Sequence, residues 1–345
     1  MAYTTIDDPT IYMNPVPYTG TEVTLSITGV GFQPDLVWLK KRGNTSSHWW
    51  TDVIRGVTET IYSNGTTAET TESEGLTAFG ADGFTLGDDY AINQEDQVQM
   101  SWNWKANGAG SSNGDGDITS TVSANTTAGF SIVKYTGDAV YPSTVGHGLG
   151  SAPSVVITKQ ITAGTYSWNS YHAGLGNTYY IALDSNSAAD NSVDCWNSTS
   201  PTSSVFTINT IAVNTSGVDF IAYCFAEKQG YSKFGSYKGN GNADGAFVYT
   251  GFRPAWVMVK KTNGTDHWFI IDNKRIGFNE DNYGLYANLQ NAEYTGTAYQ
   301  LDILSNGFKA RDTDGMFNGS GDSYIYMAFA EAPFVNSNGV PCNAR

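Results

Sequence analysis

Cysteine is almost missing from this 345-residue chain: there are three, Cys195, Cys224 and Cys342. An odd count with no regular spacing gives no disulfide framework and points to folding in a reducing compartment. Cys224 lies in the apolar run Phe220-Ile-Ala-Tyr-Cys-Phe225 and reads as a small buried hydrophobe, whereas Cys195 and Cys342 fall in polar stretches. Charge is scarce as well, at 15% of residues, with 18 Lys and Arg against 33 Asp and Glu for a net charge of −15. So few cations argue against a nucleic-acid groove, while the negative excess keeps a large assembly in solution. No apolar run approaches the length that spans a bilayer, and the opening Met-Ala-Tyr-Thr-Thr-Ile-Asp-Asp has no basic and apolar signal. The expectation is a soluble chain with no membrane insertion and no ordinary signal peptide. Four histidines, His48, His147, His172 and His267, show no metal-ligand spacing. No window of a dozen residues keeps a 3.6-residue apolar period, so helices should be few and short.

Aromatics, glycine and small polar residues are plentiful: 9 Trp, 21 Tyr, 16 Phe and 38 Gly. That profile suits all-β extracellular, lectin-like or virion proteins. Within it a pattern recurs three times: a proline, a valine three residues on and a lysine six residues on, at Pro34, Val37, Lys40, at Pro153, Val156, Lys159 and at Pro254, Val257, Lys260. A Tyr-x-Gly precedes each proline, at Tyr18 and Gly20, Tyr135 and Gly137, and Tyr237 and Gly239. Trp49, Trp168 and Trp268 follow the prolines by 15, 15 and 14 residues. Phe84, Phe206 and Phe308 come later, and Trp104, Phe225 and Phe329 close the units 20, 19 and 21 residues after them. Landmarks in register this often predict three diverged copies of one domain.

The runs Leu36 to Lys41, Val155 to Lys159 and Trp256 to Lys261 read as strands entered through proline, and Val98 to Trp104, Val218 to Phe225 and Tyr324 to Phe329 as the second strong strand of each copy. Asn-Gly and Asp-Gly pairs between them favour tight hairpins. The predicted fold is all-β: three tandem β-sandwich domains, jelly-roll or lectin-like, over 1–106, 128–230 and 231–345, with a Gly/Ser/Asn-rich linker at 107–127. The joint near Lys228 to Gly235 carries Tyr231 and Phe234 and predicts firmer packing of the second and third domains than of the first and second. The polar tail from Asn336 should fray or clasp a neighbour.

Several phrases go further. Gly-Phe-Gln-Pro-Asp-Leu-Val-Trp-Leu-Lys-Lys-Arg (31–42), His-Gly-Leu-Gly-Ser-Ala-Pro (147–153), Lys-Phe-Gly-Ser-Tyr-Lys-Gly-Asn-Gly (233–241), Gly-Phe-Arg-Pro-Ala-Trp-Val-Met-Val-Lys-Lys-Thr (251–262), Ser-Asn-Gly-Phe-Lys (305–309) and Tyr-Met-Ala-Phe-Ala-Glu-Ala-Pro-Phe (326–334) resemble a repeated domain of structural proteins from tailed bacteriophages, chiefly marine and cyanobacterial ones. The resemblance spans nearly the whole chain and implies a virion component assembled in the host cytoplasm. It brings no enzymatic activity and no site residues.

Candidate sites follow from residue chemistry. The repeated Lys40, Lys159 and Lys260 read as strand-terminal lysines that guard an edge or pair with a carboxylate. Asp52 with Arg55, and Asp272 with Arg275, share a three-residue separation and read as structural ion pairs of the common surface kind, with a binding pocket kept in only some copies as the alternative, since the second copy has Tyr171 and His172 there. Asn113, Asp115 and Asp117, and Asn240, Asn242 and Asp244, put oxygen on alternate residues as calcium loops do, but neither has a glutamate at the twelfth position, and turn formation is the favoured account over calcium binding. No other cofactor is expected. Trp50, Tyr62, Trp196, Tyr283 and Tyr286 lie in loop-like polar sequence, where rings can stack on sugars of a host surface, although for any one of them covering the end of a sandwich or filling a subunit interface is the more ordinary role.

The expected function is a non-enzymatic bacteriophage virion protein, exposed on the particle and tail-associated, that partners other virion proteins and itself, as a trimer by analogy with phage fibres. It would attach to host glycans through many weak contacts. A capsid decoration protein is the second reading and a glycan-degrading tail enzyme the third, although the Glu-x-Asp-x-x-Glu pattern of jelly-roll glucanases is missing.

Overall fold

The computed structural model describes residues 2–162, 164–192, 194–275, 279 and 283–342. It is all-β, with one four-residue α-helix, Tyr90–Asn93, and a short 3-10 turn, Pro9–Ile11, as the only helical elements among the described residues. The strands Leu36–Lys41 and Val155–Gln160 are buried at every position. Continuous burial of this kind means that both faces of the strand are covered, in contrast to Met13–Thr19, where only Met13, Pro15 and Tyr18 are buried.

Each of three chain segments builds a large sheet with the same central order. In the first segment it runs Met13–Thr19, Val98–Trp104, Leu36–Lys41, Trp49–Asp52, Glu59–Tyr62, Thr70–Thr71. In the third it runs Ser232–Lys238, Ser323–Pro333, Phe252–Lys261, Phe269–Asp272, Leu285–Tyr286. The second repeats it with Phe130–Thr136, Asp219–Phe225, Val155–Gln160, Asn169–His172, Tyr179–Ala182 and Asp190–Asn191. All the pairings are antiparallel. Each segment also carries a small sheet, of Leu25–Ile27, Gly83–Leu86 and Leu76–Gly80, of Ser143–Gly146 and Val205–Ile208, and of Phe247–Tyr249, Gly307–Ala310 and Leu301–Leu304.

Side-chain alternation along the central strands explains the double burial. Val37 and Leu39 meet Ile27, Phe84 and Leu86 in one core; Val156 meets Val145, Phe206 and Ile208 in a second; Val257 and Val259 meet Val248, Leu301 and Phe308 in a third. The opposite faces, with Leu36 and Trp38, Val155 and Ile157, and Trp256 and Met258, all enter one shared core. The segments therefore pack around a common apolar centre. Backbone hydrogen bonds close the ring in one repeated geometry: Glu69 N to Ile161 O at 3.0 Å, Ala189 N to Thr262 O at 2.9 Å, and Glu293 N to Arg42 O at 2.8 Å. The same kind of contact joins first to second, second to third and third to first. The expected preference for a firm second junction over a loose first one does not hold at these bonds. Tyr231 and Phe234 of the stiff joint are buried in the shared core.

The Tyr-x-Gly landmark also acquires a cause. Tyr18, Tyr135 and Tyr237 donate their hydroxyls to the carbonyls of Ile92, Val213 and Phe317 at 2.7, 2.8 and 2.9 Å. The following Asn93, Asn214 and Asn318 accept the amides of Thr21, Asp138 and Asn240 at 2.9 Å each. Glycine is needed between them because a Cβ at Gly20, Gly137 or Gly239 would lie 2.2, 2.2 or 2.3 Å from a backbone oxygen of the same loop.

Two expectations change. The segment 107–127, expected as a linker, contains Ser111–Asn113 and Ser120–Asn125, which pair onto Phe130–Thr136 and extend the second large sheet to eight strands. Its Ser and Thr residues are compatible with a strand, Val122 is buried, and Ser123 Oγ accepts the Asn107 amide at 2.8 Å. Trp49 is not the counterpart of Trp168 and Trp268. Trp49 pairs with Leu39 as Asn169 pairs with Thr158 and Phe269 with Val259, so the counterpart of Trp168 and Trp268 is His48. A slip of one residue reverses the face: Trp49 sits in the first segment's own core, and the other two tryptophans in the shared one. The tail folds back, with Ser337 N and Oγ on the Asp7 carboxylate at 2.7 and 2.6 Å.

Candidate functional site

Lys40, Lys159 and Lys260 lie on the central strands, which have neighbours on both sides, and so have no edge to guard. All are buried and donate to backbone carbonyls rather than to carboxylates. Lys159 Nζ reaches Thr66 O at 2.7 Å and Tyr166 O at 2.9 Å, and Lys260 Nζ reaches Lys261 O at 2.6 Å and Asn186 O at 3.4 Å. Lys40 Nζ donates to Lys41 O at 2.6 Å. Two of the three thus tie one segment to the one before it. Burial, the largest cause, brings Lys40 down to about 7 and both Lys159 and Lys260 down to about 8.

The Asp–Arg pairs are interior features. Arg55 Nε meets Asp52 at 2.6 Å and Arg275 Nε meets Asp272 at 2.8 Å, with all four side chains buried. Each arginine continues to a glutamate, Arg55 to Glu69 at 3.1 Å and Arg275 to Glu293 at 3.0 Å, and to a carbonyl of the strand just before it, Trp50 O and Ile270 O. The carboxylates then reach across the junctions: Asp52 accepts the Tyr223 hydroxyl at 2.8 Å and Asp272 accepts Trp102 Nε1 at 3.0 Å. Glu293 also holds Arg42 at 2.8 Å. The surface reading fails because a run ending in Asp, followed by a turn and Arg, looks the same whether the sheet face is solvated or covered by another sheet.

At the equivalent position of the second segment stands His172, paired with Val155 as Asp52 is with Leu36. Its Nδ1 accepts the Gly174 amide at 3.0 Å, which leaves Nε2–H to donate to Tyr326 O at 3.1 Å. Burial lowers its pKa to about 4 and keeps the ring neutral.

The five aromatics singled out for sugar stacking do not converge. Trp50 is buried in the shared core, with its ring 4.5 Å from Trp38, 4.9 Å from Tyr223 and 5.2 Å from Trp168. Trp196 is buried against Tyr171 at 6.1 Å. Neither ring offers a face to solvent; both follow or precede polar residues that are themselves in strands or packed turns. Tyr62, Tyr283 and Tyr286 are half-buried. Tyr62 stacks edge-on with Trp49 at 5.6 Å, donates to Glu72 at 2.9 Å, and with Lys41, Ser46, Ser47 and Tyr90 lines a cleft of about 340 Å³. Tyr286 packs against Phe269 at 5.0 Å.

In the two oxygen-rich loops the side chains are engaged in their own turns. Asn113 Oδ1 accepts the Asp115 amide at 3.1 Å and Asp117 accepts Thr144 N and Oγ1 at 3.0 and 2.7 Å. Asn240 accepts the Asn242 amide, Asn242 accepts the Asp244 amide, and Asp244 pairs with Lys309. Among the described residues no group of three or more His, Cys, Asp or Glu side chains is placed to hold a metal ion. The cysteines are free, and Cys195 proves to be buried like Cys224. No described helix is long and apolar enough to cross a membrane.

The contacts that sequence reasoning missed are the buried junction network and the asparagines of the Tyr-x-Gly loops. A signal for the latter exists, because Asn93, Asn214 and Asn318 each stand 11 residues before the closing aromatic of their segment. Residues 8–333 match the model of a domain of unknown function, DUF7483. No curated protein and no solved structure is significantly similar to the chain.

Proposed function

The chain belongs to this family, and since a domain of unknown function brings no activity with it, we propose from the chain's own architecture and phrases a non-enzymatic bacteriophage virion structural protein. In this reading it is three tandem β-sandwich domains of jelly-roll or lectin-like type, exposed on the particle, tail-associated and contributing to host attachment. The observation that carries the reading is the ring closed by Glu69 to Ile161, Ala189 to Thr262 and Glu293 to Arg42. Three alike bodies locked around one apolar centre make a stiff platform, which is what a surface component under mechanical load requires. The phage-like phrases supply the particle. Attachment would be multivalent, with weak glycan contacts multiplied over copies. Assembly into a homotrimer is a separate step, because ring closure already occupies the junction surfaces within one chain.

The same ring favours one second reading, capsid decoration. A single chain with near-threefold organisation fits positions of local threefold symmetry on a shell. Quantitative mass spectrometry of purified particles separates the two. A few to a few tens of copies, relative to portal and major capsid protein, support the tail; hundreds place the chain on the shell and overturn attachment.

A further inference from the structure

Among the differences between the three segments is one pair of facing positions. In the first, Trp49 pairs across the strands with Tyr62; in the third, Phe269 pairs with Tyr286. In the second the same pair is Asn169 with Ala182. Where the other segments hold two rings packed edge to face, this one holds an amide and a methyl group. The space is open: a cleft of about 610 Å³ lies over Asn169 and Ala182, against about 340 Å³ beside Trp49 and Tyr62. In the third segment Tyr294 and Tyr299 crowd the corresponding rings, Tyr299 at 5.5 Å from Phe269.

The vacated space is framed by rings and polar groups. Tyr166 and Tyr180 stand on its walls, with Asp190 and Asn191 exposed at the rim. The Tyr180 ring and the Tyr166 backbone are both held. Tyr180 donates its hydroxyl to Asp190 at 3.0 Å, and the backbone carbonyl of Tyr166 receives Lys159 Nζ at 2.9 Å. No Lys or Arg among the described residues lines the cleft, and Asp190 gives it a negative bias, so it does not suit an anion. Its volume lies within the usual span for small-ligand sites.

We propose that this cleft binds a neutral saccharide, with a pyranose ring lying against the tyrosines in the place of the missing aromatic pair and its hydroxyls bonded to Asn169, Asp190 and Asn191. The inference deepens the attachment reading above and rests on it for its biological meaning, but the binding itself does not.

The test is saturation-transfer difference NMR on the full chain with the methyl glycosides of glucose, galactose, mannose and N-acetylglucosamine at millimolar concentration, and with N-acetylneuraminic acid as the anionic control. Transfer to the ring protons of at least one neutral glycoside is expected, with none to the control. Ala182→Tyr, which restores the ring found in the other two segments, and Tyr180→Ala, which removes a wall, should each weaken binding roughly tenfold. If Ala182→Tyr fails to fold by thermal melt, the wall variant Tyr180→Ala decides the matter by itself. Silence from every neutral glycoside, or binding that the folded variants leave unchanged, overturns the site. Binding by a chain present in hundreds of copies on the shell keeps the site and sinks host attachment alone.

Discussion

Two junctions of the ring are held by an Asp–Arg–Glu set, and at the third the matching positions are uncharged. Asp52, Arg55 and Glu69 correspond to Asp272, Arg275 and Glu293, and in the second segment the same places are taken by His172, Leu175 and Ala189. Leu175 packs against the shared core where an arginine stands elsewhere. The ring nevertheless closes with the same backbone bond at each junction. What all three junctions share is a buried polar group satisfied from the next segment: Tyr223 hydroxyl on Asp52, Trp102 indole on Asp272, and His172 imidazole on the Tyr326 carbonyl. Net charge is not required. Satisfaction is, because an orphaned buried group costs more than a made bond contributes.

The largest effect should come from breaking a charged set halfway. Arg55→Met or Arg275→Met leaves a buried carboxylate, Asp52 or Asp272, without its cation, and each should lose about 3–5 kcal/mol in urea unfolding. A loss under about 1 kcal/mol would put these pairs with ordinary surface bridges and erase the distinction. The triple change Asp52→His, Arg55→Leu and Glu69→Ala should recover much of that loss, since it copies the uncharged junction.

The uncharged junction has its own weakness, which is acid. The folded pKa of His172 lies near 4, below its ordinary 6.5, so between those values the unfolded chain binds more protons than the folded one. Stability from this group is complete above pH 6.5 and is lost as pH falls towards 4, to the extent of roughly 3 kcal/mol. His48, also held well below 6.5 by burial and then by the charge of Lys40, acts in the same direction. His172→Gln keeps a donor for the Tyr326 carbonyl and cannot titrate; its unfolding free energy should fall less steeply from pH 6.5 to 4.5 than that of the unmodified chain. An unchanged pH profile would remove His172 from the account.

The three buried lysines give the opposite end of the pH scale. Their folded pKa values of about 7 to 8 lie below the ordinary 10.5, so the unfolded chain again binds more protons across that window. The lysines' contribution to stability should rise with pH from 8 towards 10, by up to about 1.4 kcal/mol per pH unit per lysine, opposed above about 9 by the buried thiols Cys195 and Cys224, whose pKa values burial raises. Above 10 the buried tyrosines Tyr18, Tyr135 and Tyr223 reverse the slope, because burial raises their folded pKa values and the unfolded chain ionises first. Lys159→Met should flatten the 8 to 10 limb by one lysine's share in denaturation series at fixed pH.

The period of the ring is more legible in the sequence than its inside. Pro34, Pro153 and Pro254 with their following valines and lysines sit in register in the structure because apolar alternation and proline placement are local properties of a strand. Burial of the lysines is illegible for a physical reason: alternation states which residues share a face, and nothing local states that the second face is covered by two other sheets. The same gap makes Trp50 and Trp196 look like sugar platforms and Asp52–Arg55 like a surface pair. The Trp49 landmark misses by a single position, which in a strand is the difference between one core and another. At 107–127 composition overrules pattern: the Ser and Thr of Ser120–Asn125 suggest looseness, yet Thr121, Val122 and Ala124 form an ordinary strand on a neighbour.

The smallest effect completes the comparison by supplying its solvent-exposed end. Lys134 and Asp219 form a bridge of 3.1 Å with side chains 37% and 25% exposed, on strands that pair in the second large sheet. Asp219 already has another partner in Thr136 Oγ1 at 2.6 Å. With water able to solvate both charges and a hydroxyl left in place, Lys134→Ala should cost no more than about 1 kcal/mol in urea unfolding, and added salt should shrink even that. Measured beside Arg55→Met in one buffer, the two values test whether it is the covering sheet that makes the difference. If the exposed pair cost as much as the buried one, burial by the neighbouring segments would not be what gives the junction residues their weight.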